Sequence, residues 1–170
     1  MARFALTFIL VVSAFLAGCS SKSDKELMDS ANQNISDEEF AEAIADFESI
    51  INEYPQSALV PKALFEIGKI YQGQVIKNIS KEESYESAIK YYKQIVDKYP
   101  DDPNAPSSLF MIGFIQANEL KKLDAARETY KSFVEKYPDH ELASSAQAEI
   151  DNLGLSPEEI LKKKMNNVQK

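Results

Sequence analysis

Two stretches of the chain share one order of apolar residues and one final glycine: Leu64-Phe65-Glu66-Ile67-Gly68 and Leu109-Phe110-Met111-Ile112-Gly113. The spacing of their apolar residues is typical of a helix, so the sequence predicts that each glycine lies inside a helix. Glycine in a helix interior costs about 1 kcal/mol relative to alanine. Its presence at equivalent positions therefore indicates a packing role, in which a neighbouring helix approaches closely.

We expect the neighbours of Gly68 and Gly113 to be Ala88 and Ala126, which lie in the helices that follow. Small side chains on both helices would let the two backbones approach each other. A leucine at Gly113 would then overpack the pair. An alanine there would be nearly neutral, because alanine has the higher helix propensity.

Three Tyr-Pro pairs repeat along the chain at Tyr54-Pro55, Tyr99-Pro100 and Tyr137-Pro138, with spacings of 45 and 38 residues. The residues before each pair align at steps of three and four, which defines one face of a helix. The proline then ends that helix, because it disfavours the helical conformation of the preceding residue. The aligned positions are Phe40, Ala43, Ile44, Phe47, Ile50 and Ile51, then Tyr85, Ala88, Ile89, Tyr92, Ile95 and Val96, then Leu123, Ala126, Arg127, Tyr130, Phe133 and Val134.

This order of residues resembles the tetratricopeptide repeat, in which Leu-Gly, Tyr, Ala-x3-Phe and Pro follow one another. The third copy has Gln116 where the pattern has tyrosine. The repeats are longer than the usual 34 residues or so, and most of the surplus lies between Tyr71 and Tyr85. This insertion, residues 72–84, is either a longer first helix or an extended loop. The middle copy matches best, with Leu64, Ile67, Gly68, Tyr71, Ala88, Tyr92 and Pro100.

The predicted fold is all-α: a tetratricopeptide superhelix of about three helix pairs over residues 24–155, followed by a C-terminal helix over residues 156–170. No segment shows sustained two-residue alternation, so we expect no sheet. The predicted helices span residues 24–34, 37–54, 58–77, 81–99, 104–119, 122–137, 140–152 and 157–168. Four serines have the capping-box spacing to a glutamate, namely Ser23/Glu26, Ser36/Glu39, Ser80/Glu83 and Ser156/Glu159.

The last two helices are expected to cap the array. Leu161, Met165 and Val168 form a narrow apolar stripe on the last helix. This stripe either folds back on the array or forms a partner surface.

The N-terminus has the organisation of a signal peptide. Arg3 precedes an apolar run from Phe4 to Phe15, which is too short to span a bilayer. The run ends in Leu16-Ala17-Gly18-Cys19, which resembles the lipobox of bacterial lipoproteins. The resemblance implies a signal peptide over residues 1–18, cleavage before Cys19, acylation of that cysteine, and a tether over residues 19–23. An ordinary secretory peptide with an incidental cysteine is the alternative.

Tetratricopeptide repeats on a lipobox-anchored chain resemble the outer-membrane lipoprotein family of BamD, and they are also similar to the repeat domain of the YbgF family. Ser20 follows the cysteine. In lipoproteins of this kind an aspartate there favours the inner membrane, so the resemblance implies an outer-membrane, lipid-anchored protein that faces the periplasm. BamD-like proteins usually carry about five repeats, whereas this chain shows three.

Composition argues against several other classes of protein. Without residues 1–18 the chain carries 18 basic and 27 acidic residues, a net charge of −9. No basic stripe is present, which argues against nucleic-acid binding. His140 is the single histidine and Cys19 the single cysteine, too few for a zinc site of the usual kind. We therefore predict no catalytic residue, metal, cofactor or small-molecule substrate, and we interpret His140 as a solvated or capping residue.

What remains is a binding surface, because stacked helical repeats form a concave groove. The tetratricopeptide resemblance implies that the first helix of each pair lines this groove. The predicted partner-binding residues are Lys62, Phe65, Lys69, Phe110 and Phe114. The same mapping adds Met28, Asn32, Gln72 and Ala117. The alternative is that neighbouring helices cover the phenylalanines.

The resemblance implies a non-enzymatic scaffold that binds protein or peptide partners, with barrel-assembly subunits among the candidates, in outer-membrane β-barrel assembly. The alternative is a YbgF-like coordinator that links cell division, Tol–Pal or peptidoglycan synthesis to the outer membrane.

Acylation of Cys19 is testable in cells grown with a fatty-acid analogue. We expect the wild-type protein to carry the label and to fractionate with membranes. The Cys19→Ala variant should lose the label, because no other cysteine can accept the lipid. Label retained by the variant would contradict the assignment.

Overall fold

A computed structural model describes residues 22–168 of the chain. These residues form α-helices and one short π-helical segment, with no strand among them, which confirms the predicted all-α fold. No helix in this part of the chain is both long and apolar enough to span a membrane. The helices are α1 (Asp24–Ser36), α2 (Phe40–Glu53), α3 (Val60–Gln72), α4 (Lys81–Lys98), α5 (Asn104–Phe114), α6 (Leu123–Lys136), α7 (Ala143–Asn152) and α8 (Pro157–Val168), and the π-helical segment is Ile115–Glu119.

The helices pack in the order in which they follow along the chain. Helices α1 and α2, α3 and α4, and α5 and α6 form pairs, and each pair packs on the next through α2 and α3 or α4 and α5. The leading helices α3 and α5 also contact each other. This arrangement is the tetratricopeptide-like superhelix that the sequence predicted.

The two helical glycines lie against tyrosine rings. A Cβ atom built on Gly68 would lie 2.5 Å from Cε1 of Tyr92, and one built on Gly113 would lie 2.8 Å from Cε1 of Tyr130. Both tyrosines are fully buried. The predicted packing role is therefore present, and the atoms nearest to each glycine belong to Tyr92 and Tyr130 rather than to the predicted Ala88 and Ala126. Each alanine lies one turn before the tyrosine whose ring covers the glycine.

Three of the four predicted capping boxes form. At the start of α4, the Glu83 amide donates to Ser80 Oγ at 3.1 Å, and the Ser80 amide donates to Glu83 Oε2 at 2.8 Å. The Ser80 hydroxyl also donates to Glu83 Oε2 at 2.8 Å, and the bonds that the Ser80 amide and hydroxyl donate to this carboxylate hold the pKa of Glu83 below the ordinary glutamate value of 4.5. Equivalent pairs cap α1 and α8, at Ser23/Glu26 and Ser156/Glu159.

The capping box predicted for Ser36 and Glu39 is wrong. Ser36 is the last residue of α1, and its hydroxyl donates to the carbonyl of Asn32 at 3.0 Å. The turn into α2 instead passes through Glu38, whose φ is 60°. Helix α2 therefore begins at Phe40, three residues later than predicted.

The insertion after α3 is a loop. Helix α3 ends at Gln72 and α4 begins at Lys81, so the predicted extension of the helix to residue 77 is wrong. Gln74 and Asn78 have positive φ values of 55° and 64°, a conformation that a helix does not use. Ile76 anchors the loop by packing against the core that α1, α2 and α3 share.

The C-terminal helix does not return to the array. Leu161 is 60% exposed and Met165 is 57% exposed, so these two residues of the apolar stripe do not fold back on the array. The side chain of Val168, the third residue of the stripe, lies outside the described part of the structure. The described contact of α8 with its neighbour is polar, a hydrogen bond from Lys163 Nζ to the Asp151 carbonyl at 2.8 Å. Helix α7 caps the array instead. Its Ala146 is fully buried in a core cluster formed by residues from α4 to α7.

The contact between Gly113 and Tyr130 makes a specific prediction about stability. The nearly neutral effect expected from the sequence for Gly113→Ala does not hold, because the new Cβ would lie 2.8 Å from the Tyr130 ring. The substitution should cost about 1–3 kcal/mol through overpacking, offset by at most about 1 kcal/mol of helix propensity. Gly73→Ala is the matched control. Its new Cβ would meet atoms no closer than 3.4 Å, and the loss of glycine should stabilise by about 0.4–1 kcal/mol. Urea unfolding measures both, and equal stability of the two variants would contradict the packing role.

Candidate partner-binding site

The leading helices α3 and α5 meet at a polar contact. The side-chain amide of Gln72 donates to Sδ of Met111 at 3.7 Å. Three of the predicted groove residues, Phe65, Phe110 and Phe114, pack partly against one core cluster. The aromatic residues of both leading helices therefore pack against the same core cluster.

Phe65 and Lys69 form the α3 side of this candidate site. The half-buried Phe65 ring lies 5.6 Å from the Tyr92 ring, centroid to centroid, at an interplanar angle of 52°. Lys69 Nζ lies 5.9 Å from the centre of the Phe65 ring and 2.7 Å from Glu66 Oε2. Glu66 thus offsets part of the positive charge that the sequence predicted here. Lys62 is exposed.

The sequence left open whether Phe110 is exposed in the groove or covered by neighbouring helices, and the structure shows some of each. Its ring meets the Tyr130 ring edge-on at 5.4 Å and the Phe133 ring at 5.9 Å, so one side of it belongs to the core. The residue is nevertheless half-buried, as is Phe114 one turn later. Both phenylalanines therefore combine core packing with partial exposure.

Two residues mapped to the groove are in the core instead. Met28 is 5% exposed and Ala117 is 6% exposed, so neither offers a surface to a partner. Ala117 lies in the π-helical segment, where the helical periodicity used for the mapping no longer holds. Met111 was missed, because it is off the face defined by Phe110 and Phe114.

The two tyrosines beneath the site differ in their hydrogen bonds. The Tyr92 hydroxyl donates to Oε1 of Gln72 at 2.8 Å. The Tyr130 hydroxyl is buried and has no hydrogen-bond partner among the described residues. Burial, and secondarily the charge of Glu149, raise the pKa of Tyr130. Its hydroxyl therefore stays protonated and able to donate.

The remaining candidates for chemistry have structural roles. Nδ1 of His140 accepts a hydrogen bond from the Leu142 amide at 3.2 Å, and its ring lies edge-on to Phe133. His140 thus stabilises the turn that leads into α7. Within residues 22–168 no group of three metal-ligating side chains comes together. Cys19 lies outside the described residues.

A second surface lies along α4. A depression of 520 Å³ there is lined by Ile89, Lys93 and Gln116, among others. Salt bridges join Lys93 to Asp97 at 3.1 Å and Lys122 to Glu86 at 2.8 Å across its rim. Lys93 and Lys122 thus have acidic partners, which offset part of the positive charge of this surface, as Glu66 does for Lys69 on α3.

The dual position of Phe110 predicts a measurable cost. Phe110→Ala should lower the free energy of unfolding by about 1–3 kcal/mol, less than the roughly 3–5 kcal/mol typical of a fully buried phenylalanine, because part of the residue is already exposed. Leu161→Ala on α8 should change it by less than about 0.5 kcal/mol. Urea unfolding of both variants is the measurement. No cost at Phe110 would mean that Tyr130 and Phe133 do not hold its ring.

Comparison with known proteins agrees with the predicted lipoprotein family. The family model for YfiO, described as an outer membrane lipoprotein, matches residues 20–156. No curated protein matches the chain significantly. The matched segment includes every helix from α1 to α7, so the BamD-like resemblance is confirmed over most of the chain. The chain belongs to the YfiO family of outer membrane lipoproteins.

Proposed function

We propose that this protein is a non-enzymatic scaffold of the outer membrane, anchored through acylated Cys19 and facing the periplasm. It binds peptide segments of protein partners in outer-membrane β-barrel assembly. The proposed binding site is the face formed by Lys62, Phe65, Lys69, Phe110 and Phe114. The function requires no metal or cofactor, and we expect neither a nucleic acid nor a small-molecule substrate.

The observation that carries the proposal is the half-buried state of the three phenylalanines on adjacent leading helices. Two of the three rings are held from one side, Phe65 by Tyr92 and Phe110 by Tyr130. An aromatic side chain that is already fixed loses little conformational entropy when a partner covers it. Such anchors often contribute more than about 2 kcal/mol to an interface.

The lysines give the site its selectivity for charge. Lys62 and Lys69 are exposed on α3 of a chain whose net charge is −8 before processing. Lys69 forms a salt bridge with Glu66, so part of its charge is offset, and Lys62 is the more available of the two cations. A partner segment with an acidic side chain or a C-terminal carboxylate would be oriented by them, with more effect on association rate than on affinity.

The anchor would hold the first helix pair near the membrane. The Tyr54 hydroxyl donates to the carbonyl of Lys22 at 2.7 Å, and Ser57 Oγ donates to Asp24 Oδ2 at 2.5 Å. These bonds tie the start of α1 to the turn after α2. From Lys22 back to Cys19 the chain spans at most about 11 Å. This turn therefore lies close to the lipid surface if Cys19 is acylated.

The test pairs a charge reversal on the leading face with one elsewhere. Lys62→Glu with Lys69→Glu should reduce the recovery of barrel-assembly subunits from detergent-solubilised membranes by about tenfold or more, because like charges then oppose the partner. Lys131→Glu on α6 is the control, since Lys131 also pairs with a glutamate three residues away. A thermal melt checks that all variants stay folded.

The outcomes separate the candidate functions. Recovery of Tol–Pal proteins or wall synthases by the wild-type protein, without barrel-assembly subunits, would favour the YbgF-like coordinator. Unchanged recovery by the folded double variant would move the binding site away from the leading helices.

A further inference from the structure

Two repeats differ at one buried hydrogen bond. Tyr92 and Tyr130 are equivalent, since each ring covers the glycine of its leading helix. The Tyr92 hydroxyl reaches Gln72, one turn after Gly68, and donates to its Oε1 at 2.8 Å. The residue four positions after Gly113 is Ala117, which has no side-chain acceptor. The third repeat thus lacks the acceptor that the second repeat supplies.

As a consequence, the Tyr130 hydroxyl is a buried donor without an acceptor among the described residues. The Tyr130 hydroxyl has no partner within residues 22–168 and its side chain is fully buried. Native structures satisfy most buried polar groups, so an exception calls for an explanation. Ala117 also lies in the π-helical segment Ile115–Glu119. Such segments occur frequently at functional sites.

The donor lies beside the proposed groove. Phe110 meets the Tyr130 ring edge-on at 5.4 Å and is itself partly exposed. We expect a bound segment to displace the edge of the Phe110 ring and so to reach the tyrosine. Burial keeps the hydroxyl protonated, and the nearby Glu149 charge on α7 repels an anionic acceptor. A neutral carbonyl oxygen is the acceptor that fits these surroundings.

We propose that the Tyr130 hydroxyl binds a main-chain carbonyl of an extended peptide segment that lies in the groove beside α5. That carbonyl takes the place that the Gln72 side chain occupies in the second repeat. The inference rests on the proposed function, because it names the partner atom for the same groove. An extended segment is required, because a helical partner uses its own carbonyls in internal hydrogen bonds whereas an extended one leaves them free.

The first arm of the test asks whether the hydroxyl is unpartnered in the free protein. Tyr92→Phe removes a hydrogen bond and should lower the urea midpoint. Tyr130→Phe removes an unsatisfied group and should leave the midpoint unchanged or raise it. An equal fall for both variants would overturn the proposal, because the Tyr130 hydroxyl would then already be bonded to water or to Glu149.

The second arm measures binding of full-length lipoprotein in detergent to an array of overlapping synthetic peptides that span outer-membrane barrel proteins and barrel-assembly subunits. Tyr130→Phe should lower the affinity for these peptides about three- to tenfold, the range expected for the loss of one neutral hydrogen bond. Tyr92→Phe should not weaken them once its stability loss is taken into account. Ala117→Gln, which supplies an internal acceptor, should weaken them too and should raise the midpoint only when Tyr130 is present.

The result distinguishes the two proposals. One outcome is that peptides bind the wild type and Tyr130→Phe equally well but do not bind the Lys62→Glu, Lys69→Glu variant. This result would overturn the tyrosine proposal and would still support peptide binding in the groove. An array with no bound peptide would overturn both. If Ala117→Gln fails to fold, Tyr130→Phe still decides the outcome, since it adds no atoms.

Discussion

The contact between a helical glycine and a buried tyrosine ring sets the geometry on which the rest of the molecule depends. Tyr92 fills the space that a side chain at position 68 would occupy, and Tyr130 does the same at position 113. The glycines lower helix propensity, and the close approach of a large ring offsets that cost through burial. The ring also contacts a phenylalanine of the leading helix, so the same tyrosine links the core to the candidate site.

Two core clusters run through the array and are joined by shared aromatic residues. One cluster is formed largely by α1, α2 and α3, and the other by residues from α4 to α7. Phe65, Tyr71 and Tyr137 pack against both. In repeat proteins each unit is stabilised by its neighbours, so these aromatic residues carry the coupling between repeats. Phe65 is also a groove residue, and a partner that fixes it would therefore stabilise the junction of the two clusters.

Sequence patterns predicted the presence of the helices better than they predicted the residues at which the helices begin and end. The capping boxes at Ser23 and Ser80 located helix starts, but the same spacing at Ser36 falls at a helix end. The pattern alone does not show whether a helix already runs through the serine. The loop after Gln72 depends on positive φ values at Gln74 and Asn78, which neither residue type requires. The glycine packing role was predictable, whereas the tyrosine partners depend on how two helices cross.

The candidate site was predicted in part for the same reason. Helical spacing brought Phe65, Phe110 and Phe114 to the leading helices. It placed Ala117 on the surface, because no periodicity rule anticipates the change to a π-helix at Ile115. The contact of Gln72 with Met111 and the unpartnered Tyr130 hydroxyl arise only from tertiary packing. The contacts of the proposed groove therefore depend on tertiary packing, which helical spacing alone does not give.

The most direct test of this account is site-specific photo-crosslinking in living cells, with a photoreactive amino acid at Lys69 on the leading face or at Lys131 on α6. The account predicts that the probe at position 69 crosslinks a barrel-assembly subunit and that the probe at position 131 does not. Crosslinks to that subunit from position 131 alone would show that partners bind the trailing helices, and would contradict the account.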